Sequence, residues 1–287
     1  MTSFELLEVD GADHLGEGPW WDAATDVLWW VDIIGRRIRR ATLDGREAEP
    51  IRTPSEVGFA VPRAESGFVA GLSGSLASAE VPGRGEPAEW ATLWTGPWDP
   101  GAVRINDGKT DPFGRVWFGT MDRAEVHPVG RLFRWDGSAV TGHVDGVWVS
   151  NGLGWSPDAT TMYYADSPAR TIWAFDYDPA TGDATGRRIF AEETGAGVPD
   201  GLTVDAEGFV WSAKWDGSRI VRYAPDGRVA GEVPLPVAKP TSVMFAGPGL
   251  GTLVVTSARM RPGDGDLAGR VFLVDAGVAG RPEARAR

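Results

Sequence analysis

One unit of text recurs along the chain, and it sets the fold. Each copy opens on a polar residue, usually followed by Gly, then a short apolar step, a turn and an apolar strand. Glu17-Gly18-Pro19-Trp20-Trp21-Asp22 precedes Val27-Leu28-Trp29-Trp30-Val31, and Asn106-Asp107-Gly108-Lys109-Thr110-Asp111 precedes Val116-Trp117-Phe118. Asn151-Gly152-Leu153-Gly154-Trp155-Ser156 precedes Met162-Tyr163-Tyr164-Ala165-Asp166, and Asp200-Gly201-Leu202-Thr203-Val204-Asp205 precedes Phe209-Val210-Trp211. Weaker copies start at Val57 and Thr241. The leading positions 17, 57, 106, 151, 200 and 241 are 40, 49, 45, 49 and 41 residues apart. Such a period, built from several strands, is that of a β-propeller blade. Six copies predict six blades.

The other strands fit. Thr171–Tyr177 ends at Asp178-Pro179-Ala180-Thr181-Gly182, and Arg219–Tyr223 ends at Pro225-Asp226-Gly227; both endings are turn chemistry. With 39 Gly and 21 Pro, no helical period survives. The reading is all-β, one propeller domain over residues 1–287. Phe4–Val9 and Arg270–Val274 are expected to share a blade and close the ring, leaving no open sheet edge. The tail from Gly280 to Arg287 is expected to fray.

In a propeller, equivalent positions of successive blades meet near the axis. The leading residues are Glu17, Val57, Asn106, Asn151, Asp200 and Thr241, five of which carry a side-chain oxygen. Taken singly, Asn151-Gly152 is a type I′ turn dipeptide, Glu17 between glycines a solvated loop residue, and Asp200 after Pro199 a turn former. Their shared repeat position favours a site instead. Oxygen donors suit hard divalent cations such as calcium, magnesium or manganese. Asp22, Asp111, Asp158 and Asp205 fall in the next turn, where Asp bonds local backbone. His14, His127 and His143 hold no repeat-equivalent position.

Composition removes other classes. Without Cys there are no disulfides, thiolate nucleophiles or zinc fingers. A formal net charge of −12 argues against nucleic acid and anionic lipid as partners. No apolar run is long enough to span a membrane, and Met1-Thr2-Ser3-Phe4-Glu5 is not a secretory start. The expected location is the cytoplasm. Gly71-Leu72-Ser73-Gly74-Ser75 is not a nucleophile elbow, and no His-Glu-x-x-His occurs.

Several stretches carry a resemblance. Leu15-Gly16-Glu17-Gly18-Pro19, the run from Arg104 to Arg115 (Arg-x-Asn-Asp-Gly-Lys-x-Asp-Pro-x-Gly-Arg), Gly119-Thr120-Met121, Ser150-Asn151-Gly152-Leu153 and Pro199-Asp200-Gly201 resemble, in order, the regucalcin (senescence marker protein)/gluconolactonase family. The resemblance spans nearly the whole chain. It implies a six-bladed propeller with one central divalent metal that hydrolyses sugar lactones. Carried over residue by residue, it implies metal ligation by Glu17, Asn151 and Asp200, with calcium first and zinc, manganese, magnesium or iron(II) as alternatives. It implies substrate binding by Arg104 and Asn106, Asn106 both donating and accepting, and by an acidic residue after Gly-Thr-Met: Glu125, with Asp122 as the alternative. Asp200 is expected to double as general base. The expected substrate is an aldonolactone (glucono-, xylono- or arabinono-lactone), and the expected assembly a monomer or weak homo-oligomer. A non-catalytic calcium-binding propeller, and a propeller acting on other esters or phosphotriesters, are the alternatives.

Overall fold

The structure, a computed structural model, describes residues 4–287. It contains six four-stranded antiparallel sheets, as the repeat predicts. The inner strands are Gly16–Asp22, Val57–Pro62, Val103–Thr110, Ser150–Trp155, Val198–Val204 and Pro240–Ala246. Each inner strand packs beside the next, and the sixth packs beside the first, so they ring a common axis. Apart from strands and turns the described residues hold one 3-10 turn, Pro248–Leu250. No helix among them is long and apolar enough to cross a membrane.

Blades one to five run from inner to outer strand in chain order. The sixth is composite: Phe4–Leu6 pairs antiparallel with Phe272–Asp275, outside Thr252–Ser257 and the inner strand. The expected closure is what forms. Between neighbouring blades the facing sheets bury the core. Trp20 and Val31 of blade one, Phe59, Phe68 and Leu76 of blade two, and Phe118 and Phe133 of blade three form one cluster. Eight of the fourteen tryptophans are buried, so this aromatic content mainly packs blades rather than binding ligand.

All six inner strands carry a β-bulge near the leading position. Pairing jumps from Ile105/Thr120 to Gly108/Phe118, from Ser150/Asp166 to Leu153/Tyr164 and from Pro199/Lys214 to Leu202/Ser212, three residues set against two. The shifts Glu17 to Trp20, Pro240 to Val243 and Val57 to Phe59 complete the set. A bulge frees one residue from the ladder and re-aims its side chain. The small residue after the leading position has a second cause. A Cβ on Gly152 would lie 2.6 Å from the Asp200 carbonyl oxygen, and one on Gly58 2.2 Å from that of Asn106. Adjacent inner strands come this close only because glycine stands there.

The tail does not fray. Residues 279–287 run across the ring at the end opposite the leading positions and bond to every blade. Ala206 N–H donates to Ala279 O (2.9 Å), Gly280 N–H to Leu250 O (2.8 Å) and Ala286 N–H to Pro62 O (2.8 Å). Arg281 donates to Ser156 O (3.1 Å), Arg287 N–H donates to Gly114 O (3.0 Å), and Arg285 grips both Asp22 oxygens at 2.6 and 2.7 Å. Glu283 pairs with Lys109 at 3.0 Å, and Ala286 is fully buried. A charged segment with Gly, Pro and Ala and no apolar run gave no sign of docking, yet the tail's main chain and arginines find carbonyls and carboxylates already presented by the interstrand turns.

Candidate functional site

The bulges aim a set of side chains into one cavity of about 260 Å³ at the other mouth. Its lining includes Glu17, Arg104, Asn106, Glu125, Asn151 and Asp200. These are the six residues expected first as metal ligands or substrate contacts, drawn from blades one, three, four and five; the alternative, Asp122, is not among the lining. Ile33, Met121 and Trp215 add apolar wall. The volume lies near the lower end of the range of roughly 300–1,000 Å³ typical for ligand pockets, so it suits a small molecule. Two leading positions stay out of it. Val57 has no polar group to offer, and the Thr241 hydroxyl is spent on Gly16 O and Thr256 Oγ1, tying blade six to blade one.

Glu17 and Asp200 lie deep and within hydrogen-bonding reach of each other. Burial first, then the Asp200 and Asp107 carboxylates, pushes the Glu17 carboxyl well above its ordinary range. Burial and then Asp107 do the same to Asp200. Gly18 N–H donates to Glu17 Oε2 at 2.9 Å and fixes that side chain. Among the described residues no basic side chain is ion-paired with either carboxylate. Lys214, whose charge Asp200 feels, pairs with Glu193 instead at 3.4 Å.

The two amides form a chain. Asn106 Nδ2 donates to Ser150 O at 2.7 Å and to Asn151 Oδ1 at 3.0 Å. Asn151 Nδ2 donates to Ser167 Oγ at 2.7 Å, and Ser167 Oγ donates to Pro199 O at 2.7 Å. Both Asn106 hydrogens are thus spent inside the protein, and only its oxygen remains to accept from a ligand. For Asn106 also to donate to a ligand, as expected from the sequence, one of these two bonds would have to give way.

Arg104 is half-buried, and burial pushes its guanidinium down to about 10 against the pull of Glu56, Glu125 and Glu17. One donor, Nη1, bonds Ile105 O at 3.1 Å. The loop after Met121 separates the two acidic candidates. The Asp122 carboxylate is taken up by the N–H groups of Ala124, Val126 and His127 at 3.0–3.1 Å. Glu125 stands exposed at the rim with a left-handed backbone, φ 54°.

Sequence reading missed Asp107 and Ser167. Asp107 is buried and shares a cavity of only about 20 Å³ with Gly18, Lys109, Leu202 and Met244, below Glu17 and Asp200. Burial raises its carboxyl to about 6, against a hydrogen bond from Gly108 N–H and the charge of Lys109. The turn aspartates bond local backbone as expected, Asp205 accepting from Glu207 N–H and Phe209 N–H. Three of them also reach farther: Asp22 holds Arg285, Asp111 accepts from the Tyr177 hydroxyl and Asp205 accepts from Arg222. His143 packs at a tilt against Trp117, 4.5 Å between centroids, outside the cavity.

Sequence comparison gives this geometry relatives. A pentonolactonase of Haloferax volcanii is 37% identical over 96% of each chain. Regucalcin of Xenopus laevis is 34% identical, covering 90% of this chain and 88% of that one. A crystal structure described as a calcium-binding protein, regucalcin, from Agrobacterium tumefaciens superposes with a TM-score of 0.92 at 28% identity, over 100% of this chain and 98% of that one. The sequence profile described as SMP-30/Gluconolactonase/LRE-like region matches residues 15–259. The chain belongs to that SMP-30/gluconolactonase/LRE-like family.

Proposed function

We propose that the protein hydrolyses a sugar lactone with the help of one divalent cation held by Glu17, Asn151 and Asp200. One observation carries this reading. Two buried carboxylates face each other without a basic partner, beside an amide oxygen, in a cavity that also holds an arginine. Burying ionised carboxylates costs heavily unless a cation compensates them. Two carboxylates and one neutral oxygen suit a hard divalent ion and leave coordination positions free. Calcium is the first choice, since a structural neighbour is described as calcium-binding; zinc, manganese, magnesium and iron(II) are compatible with the donors. Relatives named as lactonases supply the substrate class. Within it we favour an aldonolactone such as glucono-, xylono- or arabinono-lactone.

When bound, the cation supplies Lewis acidity, drawing charge from the lactone carbonyl and easing ionisation of water. The chain's own groups do the rest. Arg104 offers its remaining donors to the carbonyl or a ring hydroxyl. Asn106 accepts from a hydroxyl through its free oxygen, and Glu125 accepts another at the rim. Asp200 takes a proton from the water that attacks the carbonyl carbon. The ring C–O bond then breaks, the ring oxygen takes that proton back from Asp200, and the hydroxy acid leaves. A calcium-binding propeller without turnover would have no use for Arg104 inside the cavity.

The test is acid release from gluconolactone, xylonolactone and arabinonolactone, and from a phosphotriester, with and without chelator. Chelator-sensitive release from a lactone is expected. Cation binding with no turnover on any of them would leave the non-catalytic reading standing.

A further inference from the structure

An amide side chain has two unlike ends. Only its oxygen can give a lone pair to a cation, and a half-turn about the last torsion would present NH2 instead. If Asn151 is a ligand, as the proposed function has it, something must key that end. We propose that Ser167 is the positioning residue that does so.

Ser167 sits in the turn between the blade-four strands Thr161–Asp166 and Thr171–Tyr177, is only 7% exposed, and lines the same cavity. Its backbone is pinned by an N–H bond to Val149 O at 3.3 Å. A hydroxyl has one proton to give. This one goes to Pro199 O at 2.7 Å, which leaves only lone pairs for Asn151. Ser167 can therefore accept from Asn151 Nδ2, as it does at 2.7 Å, but cannot donate to Oδ1. On the far side Asn106 gives a hydrogen to Asn151 Oδ1, with its own orientation held by Ser150 O. A flipped Asn151 would set NH2 against NH2 and oxygen against an oxygen with no proton left. Pro199 is the residue directly before Asp200, so one hydroxyl steadies two of the three donors.

The experiment is titration calorimetry of the metal-free protein with manganese and with calcium, on three variants at Ser167 and on Ser167→Ala in two Asn151 backgrounds. Ser167→Ala should weaken cation binding by about tenfold to a hundredfold, the usual cost of losing a partner that orients a ligand. Ser167→Cys fills the same space with a poor acceptor and should show the same loss, even if the alanine variant folds badly. Ser167→Thr restores the hydroxyl and should restore binding. In an Asn151→Asp background both ends of the group are oxygen, nothing needs keying, and Ser167→Ala should cost almost nothing. Equal losses in both backgrounds would mean that Ser167 merely braces Pro199, and unchanged binding in Ser167→Ala and Ser167→Cys would remove its role altogether; either result overturns the proposal. A wild-type chain that takes up neither cation would overturn the proposed function itself, and this inference with it, whatever the variants do.

Discussion

At the scale of single residues, the strongest expectation concerns Asp200. In the Asn variant the amide keeps the shape and an oxygen toward the cavity but cannot take a proton, so turnover on the preferred lactone should fall at least about a hundredfold. The fold should persist, because the carboxylate is a buried charge without an ion pair and its removal relieves repulsion with Glu17. Steady-state rates together with thermal unfolding would check both halves; near-normal turnover would remove the general-base role. Glu17, Asn106, Asn151 and Asp200 were legible because each stands at a repeat-equivalent place in otherwise apolar text. Asp107 and Ser167 were not. Strict strand alternation sends Asp107 to the face opposite Asn106, and only the bulge between Ile105 and Gly108 lets both reach the channel. Ser167 belongs to a turn, and its partner Pro199 is reached only once blade four packs on blade five.

At the scale of the element, the inner strand does the positioning. Asn151-Gly152 reads locally as a turn dipeptide and Asp200 after Pro199 as a turn former, yet both lie within inner strands, at bulges. Local chemistry and tertiary position point the same way: a residue that tolerates irregular backbone, then one with no Cβ. Gly152→Ala tests this. The added methyl meets the Asp200 carbonyl oxygen and the Leu202 nitrogen at 2.6–2.7 Å, backbone atoms that cannot swing aside. Overpacking of this kind costs about 1–3 kcal/mol. The variant should melt several degrees lower and lose lactone turnover out of proportion, since the atom it displaces belongs to Asp200. A variant with wild-type melting and full activity would show that the two strands have slack between them.

At the scale of the whole molecule, ring number and closure could be read from the period and from the two orphan strands at the ends. The strap over residues 279–287 could not, because its partners are turn carbonyls and carboxylates of all six blades, scattered through the sequence. Its firmest side-chain hold is Arg285 on Asp22. Burial works against the Asp22 charge, but hydrogen bonds from Arg285, Thr25 and Ala24 leave its carboxyl below the ordinary value. A lowered carboxyl stabilises the fold above its unfolded pKa of about 4 and loses that contribution as pH falls through the lower folded value. Arg285→Ala should therefore cost up to about 1 kcal/mol at neutral pH, the upper end for a partly exposed pair, because a single guanidinium nitrogen holds both Asp22 oxygens. The difference from wild type should shrink below about pH 4. Denaturant midpoints at the two pH values would decide it.

At the strap end Lys109 also lines a second cavity, of about 290 Å³, with Arg281, Pro282 and Glu283. Between it and the carboxylates the passage narrows to about 20 Å³ around Asp107 and Gly108, too little for a sugar ring, so the substrate cavity is a well with a single door. Reactant and product must share it. The hydroxy acid has to back out past Glu125 and Trp215 before another ring can enter, so the two should compete for the same standing room. Added product should raise the apparent KM and leave kcat untouched; a fall in kcat alone would point to a second exit.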